Sequence, residues 1–464
     1  MTHVVVVGAG VGGLTAAVRC AEAGHSVAVL EATGAAGGKA GRLERDGFRF
    51  DTGPSLVTMP HVFADLLGDR IELLPVEPVT RYSFADGTSV ELSADLERSI
   101  EALEAWSPGT GAAWRRFMAT CAAMWRSSEK HLTGEPPWPP RRPRPGEPPP
   151  DPRDLLRVRP WSTLRGLARA HTDDPRLQTV IERFATYAGA DPRRAPAALA
   201  LAGYVEHAFG AWHPRGGIYA IVRALVARAE ELGVELRYGT PATAIRRSAS
   251  GLVVATPSGP VPADWVVWNG DALTLDAILG RRSLRPTASL SGYVLMLGLR
   301  GRTPGLAHHT IAFPRSYDAE FDDVFVHGRP VADPTLYVSC AAVTDPSEAP
   351  PGDESWFVLV NAPPGLPDAA FEGYEERLID RLGVRDRIAV RARRTPADLE
   401  RETGAVGGAI YGTAPHGRLG TLRRPGPRVR GFPNLLRVGG TAHPGGGLPL
   451  VALSGQLAAR IIGR

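Results

Sequence analysis

The sequence predicts an α/β protein with two parts: a discontinuous parallel-sheet domain, and a region of helices with a mixed or antiparallel sheet. Three observations predict it. A strand, a glycine turn, a helix and a second strand follow one another in the first thirty residues. Apolar stretches separated by turn residues alternate over residues 285–404, as in an antiparallel sheet. A strand, a glycine segment and a last helix then close the chain, so that its two termini are expected to share one domain.

The opening segment has the pattern of a turn that binds a dinucleotide. The β-branched residues 4–7 lead into the glycine turn 8–13, and a helical pattern follows. Gly8 permits the tight turn, Gly10 lets backbone N–H groups approach a pyrophosphate, and Gly13 lets the helix pack closely on the strand. The N-terminus of that helix offers its unpaired N–H groups to phosphate oxygens. In this context a Rossmann-like site is favoured over a purely structural glycine turn.

The next residues indicate which dinucleotide. The second apolar stretch, 26–30, ends at Glu31, near the spacing expected for an acid that accepts hydrogen bonds from ribose and repels a 2′-phosphate. The polar, glycine-rich residues 32–42 follow at once and carry a cation, Lys39. Such a stretch suits the second half of a long cofactor, FAD, although an ordinary glycine loop before the hairpin strand at 48–55 would look the same.

Composition narrows the class of protein. The chain has 464 residues, of which 43% are hydrophobic, and 53 basic against 49 acidic residues give a net charge of +4. This length predicts two domains, and the dispersed arginines disfavour nucleic acid binding. The three separated cysteines show no metal-ligand spacing and fit a reducing compartment, so we predict no metal site. We expect no transmembrane helix. The apolar residues 4–18 contain glycines placed for phosphate binding, and no other stretch reaches eighteen apolar residues without a charge.

The expected organisation has five segments. Residues 1–65, 206–284 and 405–464 form the cofactor-binding domain, and 285–404 form the second sheet. Residues 66–205 are expected to be mainly helical, with one helical region carrying Trp106, Trp114 and Trp125. This segment also holds the proline-rich loop 134–153, which is either a disordered insertion or a mobile lid over a substrate entrance.

The C-terminal glycine segment 439–449 is the second strong motif. Three successive glycines at a helix start can bring N–H groups and the helix dipole onto a flavin, where they would stabilise negative charge on its reduced N1–C2=O edge. His443 in this segment is either a proton carrier or a hydrogen-bonded turn residue. The chain has one complete G-x-G-x-x-G, so we expect electrons to come from the substrate and to pass to oxygen or a quinone, not to come from a bound pyridine nucleotide.

Motifs along nearly the whole chain, in order, carry a resemblance to one enzyme family. The chain resembles the bacterial-type FAD-dependent carotenoid desaturases, the phytoene desaturase family of the amine-oxidase-like flavoproteins. The matching segments are 7–13, 37–42, 50–55, 184–189 with 195–196, 210–217, 308–311, 320–323, 333–337, 344–346 with 349–352, and 443–449. Two departures are Lys39, where many relatives have arginine, and the proline-rich loop, which replaces a helical stretch.

The resemblance implies a chemistry. A long apolar polyene would be drawn from the membrane and lose a hydride to the flavin and a proton from the neighbouring carbon. Such a reaction needs an apolar tunnel that excludes water and holds the chain against the ring. It also implies a cytoplasmic protein associated peripherally with the cytoplasmic membrane, for which the small positive charge would be favourable, although a solvated basic face would look the same.

The predicted site residues fall into three groups. The acid–base candidates are Glu206, His443 and Asp51, although Glu206 could equally be an ion-paired helix residue. Phe184, Tyr187 and Trp212 are predicted to line the tunnel, with core packing as the alternative. The predicted FAD contacts are Gly8, Gly10, Gly12, Gly13, Glu31, Gly38, Lys39, Arg42, Gly53, Pro54, Ser55, Gly440, Gly446, Gly447 and Leu448.

Three rival functions stay open at this point. A desaturase of hydroxylated or methoxylated carotenoids is favoured by the ending 445–450 and the short chain. An amine or protoporphyrinogen oxidase is a more distant relative, and the aromatic cage that an amine requires cannot be located in the sequence. A prenyl- or lipid-binding escort protein without redox activity would not need both glycine motifs intact, as they are here.

Overall fold

The computed structural model describes residues 2–134, 136, 152–281, 287–417 and 419–463. Most of the predicted proline-rich loop, 134–153, therefore lies outside the described residues.

A six-stranded sheet forms the centre of the first domain. Its order is β19-β20-β13-β1-β2-β9, and all neighbours are parallel except β19 and β20. Residues 4–7 of the central strand are buried, as a strand covered on both faces must be, and this explains their continuous apolar run. The strands are His3–Val7 (β1), Ser26–Leu30 (β2), Glu235–Arg237 (β9), Trp265–Trp268 (β13), Arg428–Val429 (β19) and Phe432–Arg437 (β20).

Helices cover this sheet, and two of them cross closely. A Cβ on Gly455 of the last helix would lie 2.4 Å from the carbonyl oxygen of Gly12 in the first helix, so only glycine permits the approach. A Cβ on Gly12 would also lie 3.1 Å from Cγ1 of Val451, so the first turn of the last helix lies beside the start of the first helix. The helices of this part are Val11–Glu22 (α1), His61–Leu67 (α2), Tyr219–Glu231 (α9), Ala272–Ile278 (α10) and Leu448–Ile462 (α14).

The second sheet has seven strands in the order β18-β14-β17-β16-β15-β6-β7, antiparallel except for the pair β15–β6. The expectation of a second, largely antiparallel sheet is therefore confirmed. Two of its strands, β6 and β7, come from the segment expected to be mainly helical, where their four-residue length gave little signal. The strands are Thr80–Ser83 (β6), Ser89–Leu92 (β7), Ser291–Leu299 (β14), His309–Ala312 (β15), Leu336–Cys340 (β16), Glu354–Ala362 (β17) and Ile388–Arg394 (β18).

A helical layer packs beside the second sheet. The tryptophan-bearing region is two helices instead of one, because Gly109 adopts a left-handed conformation with φ of 86° between Trp106 and Trp114. The layer consists of Leu96–Trp106 (α3), Thr110–Thr133 (α4), Pro152–Arg157 (α5), Leu164–His171 (α6), Pro175–Glu182 (α7) and Leu201–Phe209 (α8). A short 3₁₀ helix over residues 183–188 continues α7.

Smaller elements complete the fold. Three helices flank the second sheet: Tyr317–Asp322 (α11), Tyr374–Leu382 (α12) and Pro396–Thr403 (α13). The remaining strands form two ribbons and a three-stranded antiparallel sheet: Arg42–Arg45 (β3) with Phe48–Asp51 (β4), Leu73–Pro75 (β5) with Trp212–Pro214 (β8), and Ala244–Ser248 (β10), Gly251–Thr256 (β11) and Gly259–Ala263 (β12). Of the helices in the described part of the chain, none is long and apolar enough to cross a membrane.

Candidate active site

A cavity of about 1490 Å³ extends from the glycine turn of the first domain to the helical layer. At one end it is lined by the turn and by the segment that precedes α14. At the other end its wall is formed by apolar side chains of the 3₁₀ helix, α8 and the second sheet. The volume exceeds the range of about 300–1,000 Å³ that is usual for a small-molecule pocket, so there is space for more than one ligand.

The beginning of α1 faces the cavity with its backbone. The helix begins at Val11 after Gly10, no described side chain caps it, and its first turn holds no acid. Its first N–H groups are therefore available to an anion. The geometry depends on glycine, since a Cβ on Gly13 would lie 2.1 Å from the carbonyl oxygen of Gly8, whose own φ is 100°.

Glu31 lies at the cavity wall and is held in place by backbone groups. One of its carboxylate oxygens accepts a hydrogen bond from the N–H of Ala9 at 2.7 Å, and the other accepts bonds from the N–H and hydroxyl of Thr33, both at 2.9 Å. A carboxylate has about four lone-pair positions, so acceptor capacity remains for ribose hydroxyls. This is the position that the sequence motif predicts for such an acid.

Asn269 contacts the segments that follow strands β1 and β20. It was not among the predicted contacts. Its Nδ2 donates to the carbonyl of Gly8 at 3.2 Å. Cβ atoms on Gly12 and Gly439 would lie 2.7 and 2.9 Å from its Oδ1. The signal was its place after the buried strand β13, at the carboxyl edge of the parallel sheet.

Lys39 is half-buried and lines the cavity. Its ammonium donates to the carbonyls of Ala409 and Ile410, at 3.1 and 2.6 Å. Burial lowers the pKa of Lys39 to about 8, against the opposing effect of the Asp271 carboxylate. At neutral pH the side chain therefore keeps most of its positive charge.

The beginning of α14 is a second uncapped helix N-terminus on the same cavity. The helix begins at Leu448 after Gly447, which has φ of 102° and no described side chain that caps the helix. A Cβ on Gly447 would meet no described atom within 4 Å, whereas one on Gly446 would lie 2.4 Å from the ring of Tyr411. The glycines thus leave backbone exposed to the cavity on one side and allow close packing on the other.

Arg424 adds positive charge at this helix start. It is half-buried, lines the cavity and donates to the carbonyl of Gly440 at 2.7 Å. Burial lowers the pKa of Arg424 to about 10, and the group stays charged at neutral pH. Sequence reasoning missed it, because an arginine in an arginine-rich loop gives no distinguishing signal.

These features match the parts of FAD. The α1 start offers N–H groups for the pyrophosphate, Glu31 offers acceptors for ribose, and the α14 start with Arg424 offers positive potential for a flavin edge. Further predicted contacts that line the same cavity are Gly8, Gly10, Gly12, Gly38, Lys39, Gly53, Pro54, Ser55, Gly440, Gly446, Gly447 and Leu448. The residues present therefore fit the cofactor.

Polar side chains also occur in the apolar wall at the helical end, and three of them form a hydrogen-bonded chain. The guanidinium of Arg183 donates to the phenol oxygen of Tyr187 at 3.2 Å, and the hydroxyl of Tyr187 donates to the carboxylate of Glu206. Burial raises the pKa of Glu206, while the charge of Arg183 and the Tyr187 hydroxyl oppose the rise. Of the predicted tunnel residues, Phe184 and Tyr187 line the cavity.

The structure places four predicted site residues away from the cavity lining, each for a visible reason. Gly13 serves the packing of helix on strand. The Asp51 carboxylate accepts hydrogen bonds from the N–H groups of Ile218 and Tyr219 at the start of α9. The other two are Arg42, which donates to the carbonyl of Gly216, and Trp212, whose indole N–H donates to the carbonyl of Phe209 at 2.7 Å.

His443 lines the cavity but is tied to the end of α4. Its Nε2 is 2.7 Å from the carbonyl oxygen of His131 and 3.2 Å from that of Gly134, contacts in which the ring must donate. Burial lowers the pKa of His443, although these carbonyls oppose the change. This geometry matches the alternative of a hydrogen-bonded turn residue.

Comparison with known proteins agrees with the site. The family model described as flavin-containing amine oxidoreductase matches residues 11–360. The chain is 33% identical to the 4,4′-diapolycopene oxygenase of Methylomonas sp, over 98% of this chain and 97% of the relative. It is 35% identical to the hydroxyneurosporene desaturase of Cereibacter sphaeroides, over 99% and 97% of the two chains, and 33% identical to the phytoene dehydrogenase of Streptomyces griseus, over 99% and 95%.

A solved structure has the same fold. Cyclohexylamine oxidase from Brevibacterium oxydans superposes with a TM-score of 0.66 at 15% identity, and the match covers 100% of this chain and 98% of that one. At this identity the similarity establishes the fold alone.

Proposed function

Since this chain belongs to the phytoene desaturase family of the flavin-containing amine oxidoreductases, we propose that it is an FAD-dependent carotenoid desaturase. It would convert C–C single bonds of a long apolar polyene into double bonds. The observation that carries the proposal is one continuous cavity with two uncapped helix N-termini at one end and an apolar wall at the other. FAD, when bound, supplies the hydride acceptor.

The apolar wall supports the substrate class. Side chains such as Phe184, Leu199, Val205, Leu290 and Ile311 line the helical end of the cavity. They would exclude water and hold an extended hydrocarbon chain in one orientation, which is the main demand of this reaction on the protein.

Glu206 is the best placed of the three acid–base candidates. Unlike Asp51 it lines the cavity, and unlike His443 it is not bonded to backbone carbonyls of a neighbouring helix. Its carboxylate would accept the proton that leaves the carbon next to the hydride donor. The pKa raised by burial brings the group closer to neutrality, where a general base is most effective.

We also infer that the protein docks on the cytoplasmic membrane surface. Leu156 and Trp161 are 59% and 53% exposed. Both lie within two residues of side chains that line the cavity: Asp154, Val158 and Pro160. Exposed apolar side chains at a cavity rim would let a membrane-dissolved polyene enter without crossing water. The chain's net positive charge would favour an anionic surface.

Sedimentation with anionic vesicles tests the membrane proposal. The double variant Leu156→Asp with Trp161→Asp should lose most vesicle binding. The control Val326→Asp changes an apolar residue that is 69% exposed elsewhere in the fold and should bind like the parent protein. Equal binding of the double variant and the parent would contradict the proposal.

The activity is tested with purified, FAD-loaded protein under anaerobic conditions. Phytoene, neurosporene and a hydroxylated carotenoid are offered in turn, and flavin reduction is followed together with the polyene spectrum. We expect flavin bleaching with a shift of the polyene absorption to longer wavelength for at least one of them. Oxygen or a quinone, added afterwards, should restore the flavin spectrum. Protein that takes up no FAD, or that binds polyenes without reducing the flavin, would instead support the escort function.

A further inference from the structure

Arg183 is a buried cation in the apolar wall of the cavity. Its side chain lines the cavity and is 7% exposed. In the described part of the chain no ion pair joins it to a carboxylate, and its hydrogen bonds go to the phenol oxygens of Tyr82 and Tyr187, each at 3.2 Å. The guanidinium also lies over both rings, 5.6 and 5.0 Å from their centroids. The two phenols therefore hold the cation in place without neutralising its charge.

Glu206 is a buried anion in the same wall. It is 4% exposed and lines the cavity. Among the described residues it has no ion pair, and its one hydrogen bond comes from the hydroxyl of Tyr187. A lone carboxylate in apolar surroundings is costly, and such a group tends to take up a proton instead. A protonated Glu206 could not accept the proton that the substrate loses.

Tyr187 connects these two charges in one direction. Its oxygen accepts from Arg183 and its hydroxyl donates to Glu206, so the cation polarises the phenol O–H towards the carboxylate. A direct pair of arginine and carboxylate is often bidentate and occupies both carboxylate oxygens. Here one donor occupies a carboxylate with about four lone-pair positions, so acceptor positions remain for a proton from the substrate.

The other side chains around this pair leave Arg183 as the balancing charge of Glu206. The carboxylate of Glu182, the residue before Arg183, is paired with Arg165 at 2.6 Å. The phenols and imidazoles nearby are uncharged at neutral pH, because burial raises the pKa of each phenol and lowers the pKa of each imidazole. These groups are Tyr82, Tyr187, Tyr317, Tyr337, Tyr411, His207 and His309.

We propose that Arg183 and Tyr187 are positioning residues for Glu206: the cation, acting through the phenol, keeps the carboxylate ionised and in place to accept the substrate's proton. This inference rests on the proposed desaturase function and specifies how the chain maintains a base inside an apolar wall. Once Glu206 has taken the proton, Arg183 lacks a counter-charge. The same cation therefore favours release of that proton to water after the product has left, before the next turnover.

The first test is the pH dependence of flavin reduction in a single anaerobic turnover of the FAD-loaded protein. In Arg183→Met the ascending limb should move to higher pH by about one unit or more, the usual effect of removing a nearby opposite charge. At a pH below both limbs the rate should fall about tenfold or more, whereas at high pH it should approach the parent rate. A merely structural loss would lower the rate equally at every pH.

Three further variants give the matched comparisons. Tyr187→Phe removes the bridge but leaves the cation, so its limb should move in the same direction by a smaller amount. Arg183→Lys keeps the charge, and its limb should lie closer to the parent's than to that of Arg183→Met. Arg169→Met, at an exposed position of the same helical layer, should have the parent profile. Bound FAD and thermal unfolding are measured for each variant to establish that it is folded.

A double variant tests whether Arg183 acts through Glu206. In the background of Glu206→Gln there is no carboxylate to keep ionised, so the addition of Arg183→Met should change the rate by less than about twofold. A loss of about tenfold in this background as well would show that Arg183 acts on the reaction without Glu206, and would overturn the proposal.

A readout without substrate separates this proposal from the desaturase function. Infrared difference spectra of FAD-loaded protein, recorded against pH, follow the protonated carboxyl band that disappears in Glu206→Gln. This band should persist to higher pH in Arg183→Met than in the parent. Identical titrations in the two proteins would overturn the proposed coupling, even if the flavin is reduced. A shifted titration without flavin reduction by any polyene would support the coupling and contradict the desaturase function.

Discussion

The two ends of the cavity are built by different means. At the glycine end the groups offered to a ligand are mainly backbone N–H groups at the starts of α1 and α14, supported by Glu31. At the helical end they are side chains: an apolar wall with Arg183, Tyr187, Glu206 and Tyr317 set into it. The first end is suited to a cofactor shared by many proteins, and the second can change from one substrate to another while the fold stays the same.

The strongest test of the glycine end is Gly13→Ala. The new Cβ would lie 2.1 Å from the carbonyl oxygen of Gly8, and backbone must move to accommodate it. We expect complete loss of bound FAD and a lowered melting temperature, measured from flavin per protein and by thermal unfolding. Gly34→Ala is the control, because its Cβ would meet no described atom within 4 Å, and it should bind FAD normally. Full FAD occupancy in Gly13→Ala would show that the turn tolerates a different path.

Glu206→Gln tests the helical end with the next largest effect. If Glu206 accepts the proton, the rate of flavin reduction should fall about 10²- to 10⁴-fold, the usual contribution of a general base, while FAD binding is unchanged. Asp154→Asn is a control at another carboxylate that lines the same cavity.

The pH dependence gives an independent check of the same residue. A base acts in its deprotonated form, and burial raises the pKa of Glu206. The parent rate should therefore rise with pH through a value above the ordinary glutamate pKa and then level off. In Glu206→Gln this limb should be absent. A variant with the parent's rate and pH profile would remove Glu206 from the chemistry.

Glu31→Gln returns to the glycine end with a smaller effect. The amide keeps one oxygen acceptor but loses the charge and one of the acceptors now held by Ala9 and Thr33. FAD affinity should weaken about 10- to 100-fold, the value of a hydrogen bond to a charged group, as measured by flavin titration of the apoprotein. Glu235→Gln, on the neighbouring strand β9, should leave the affinity unchanged. The ratio of the flavin reduction rates with different polyenes should not change in either variant.

The same contrast explains what the sequence could predict. The glycine turn, Glu31 and the closing glycine segment are contiguous motifs whose spacing is set by one turn or one helix start, so each could be located before the fold was known. For Asn269 the only sequence signal was its position directly after a buried strand. Arg424 gave no signal, because its position at the cavity depends on the folded chain, where it contacts Gly440, 16 residues further along the sequence.

The helical end was predictable only in part. Phe184 and Tyr187 were predicted as tunnel residues, and Glu206 as an acid–base candidate. The hydrogen-bond partners of Tyr187 and Glu206 were not predicted. Arg183 and Tyr317 come from segments more than a hundred residues apart, and Tyr82 comes from a four-residue strand in a region expected to be helical. Trp212 and Asp51 were predicted at the site because they lie close to motifs in the sequence. In the structure their side chains instead form hydrogen bonds with backbone groups outside the cavity lining.

Asp51→Asn gives the smallest expected effect and tests whether that commitment is structural. Burial raises the pKa of Asp51 to about 6, against the opposing backbone N–H groups of Ile218 and Tyr219. The folded protein thus favours the protonated acid. The side chain's contribution to the free energy of unfolding is most favourable below about pH 4 and falls as pH rises to about 6, by up to about 3 kcal/mol for two pKa units.

Asparagine does not titrate, so the parent should lose stability relative to the variant across this interval in urea unfolding. Flavin reduction at neutral pH should stay within about twofold of the parent in Asp51→Asn, because the residue is outside the cavity lining and general-base losses start at about 10²-fold. A large loss of rate with unchanged stability would instead place Asp51 in the chemistry and erase the distinction between the two ends.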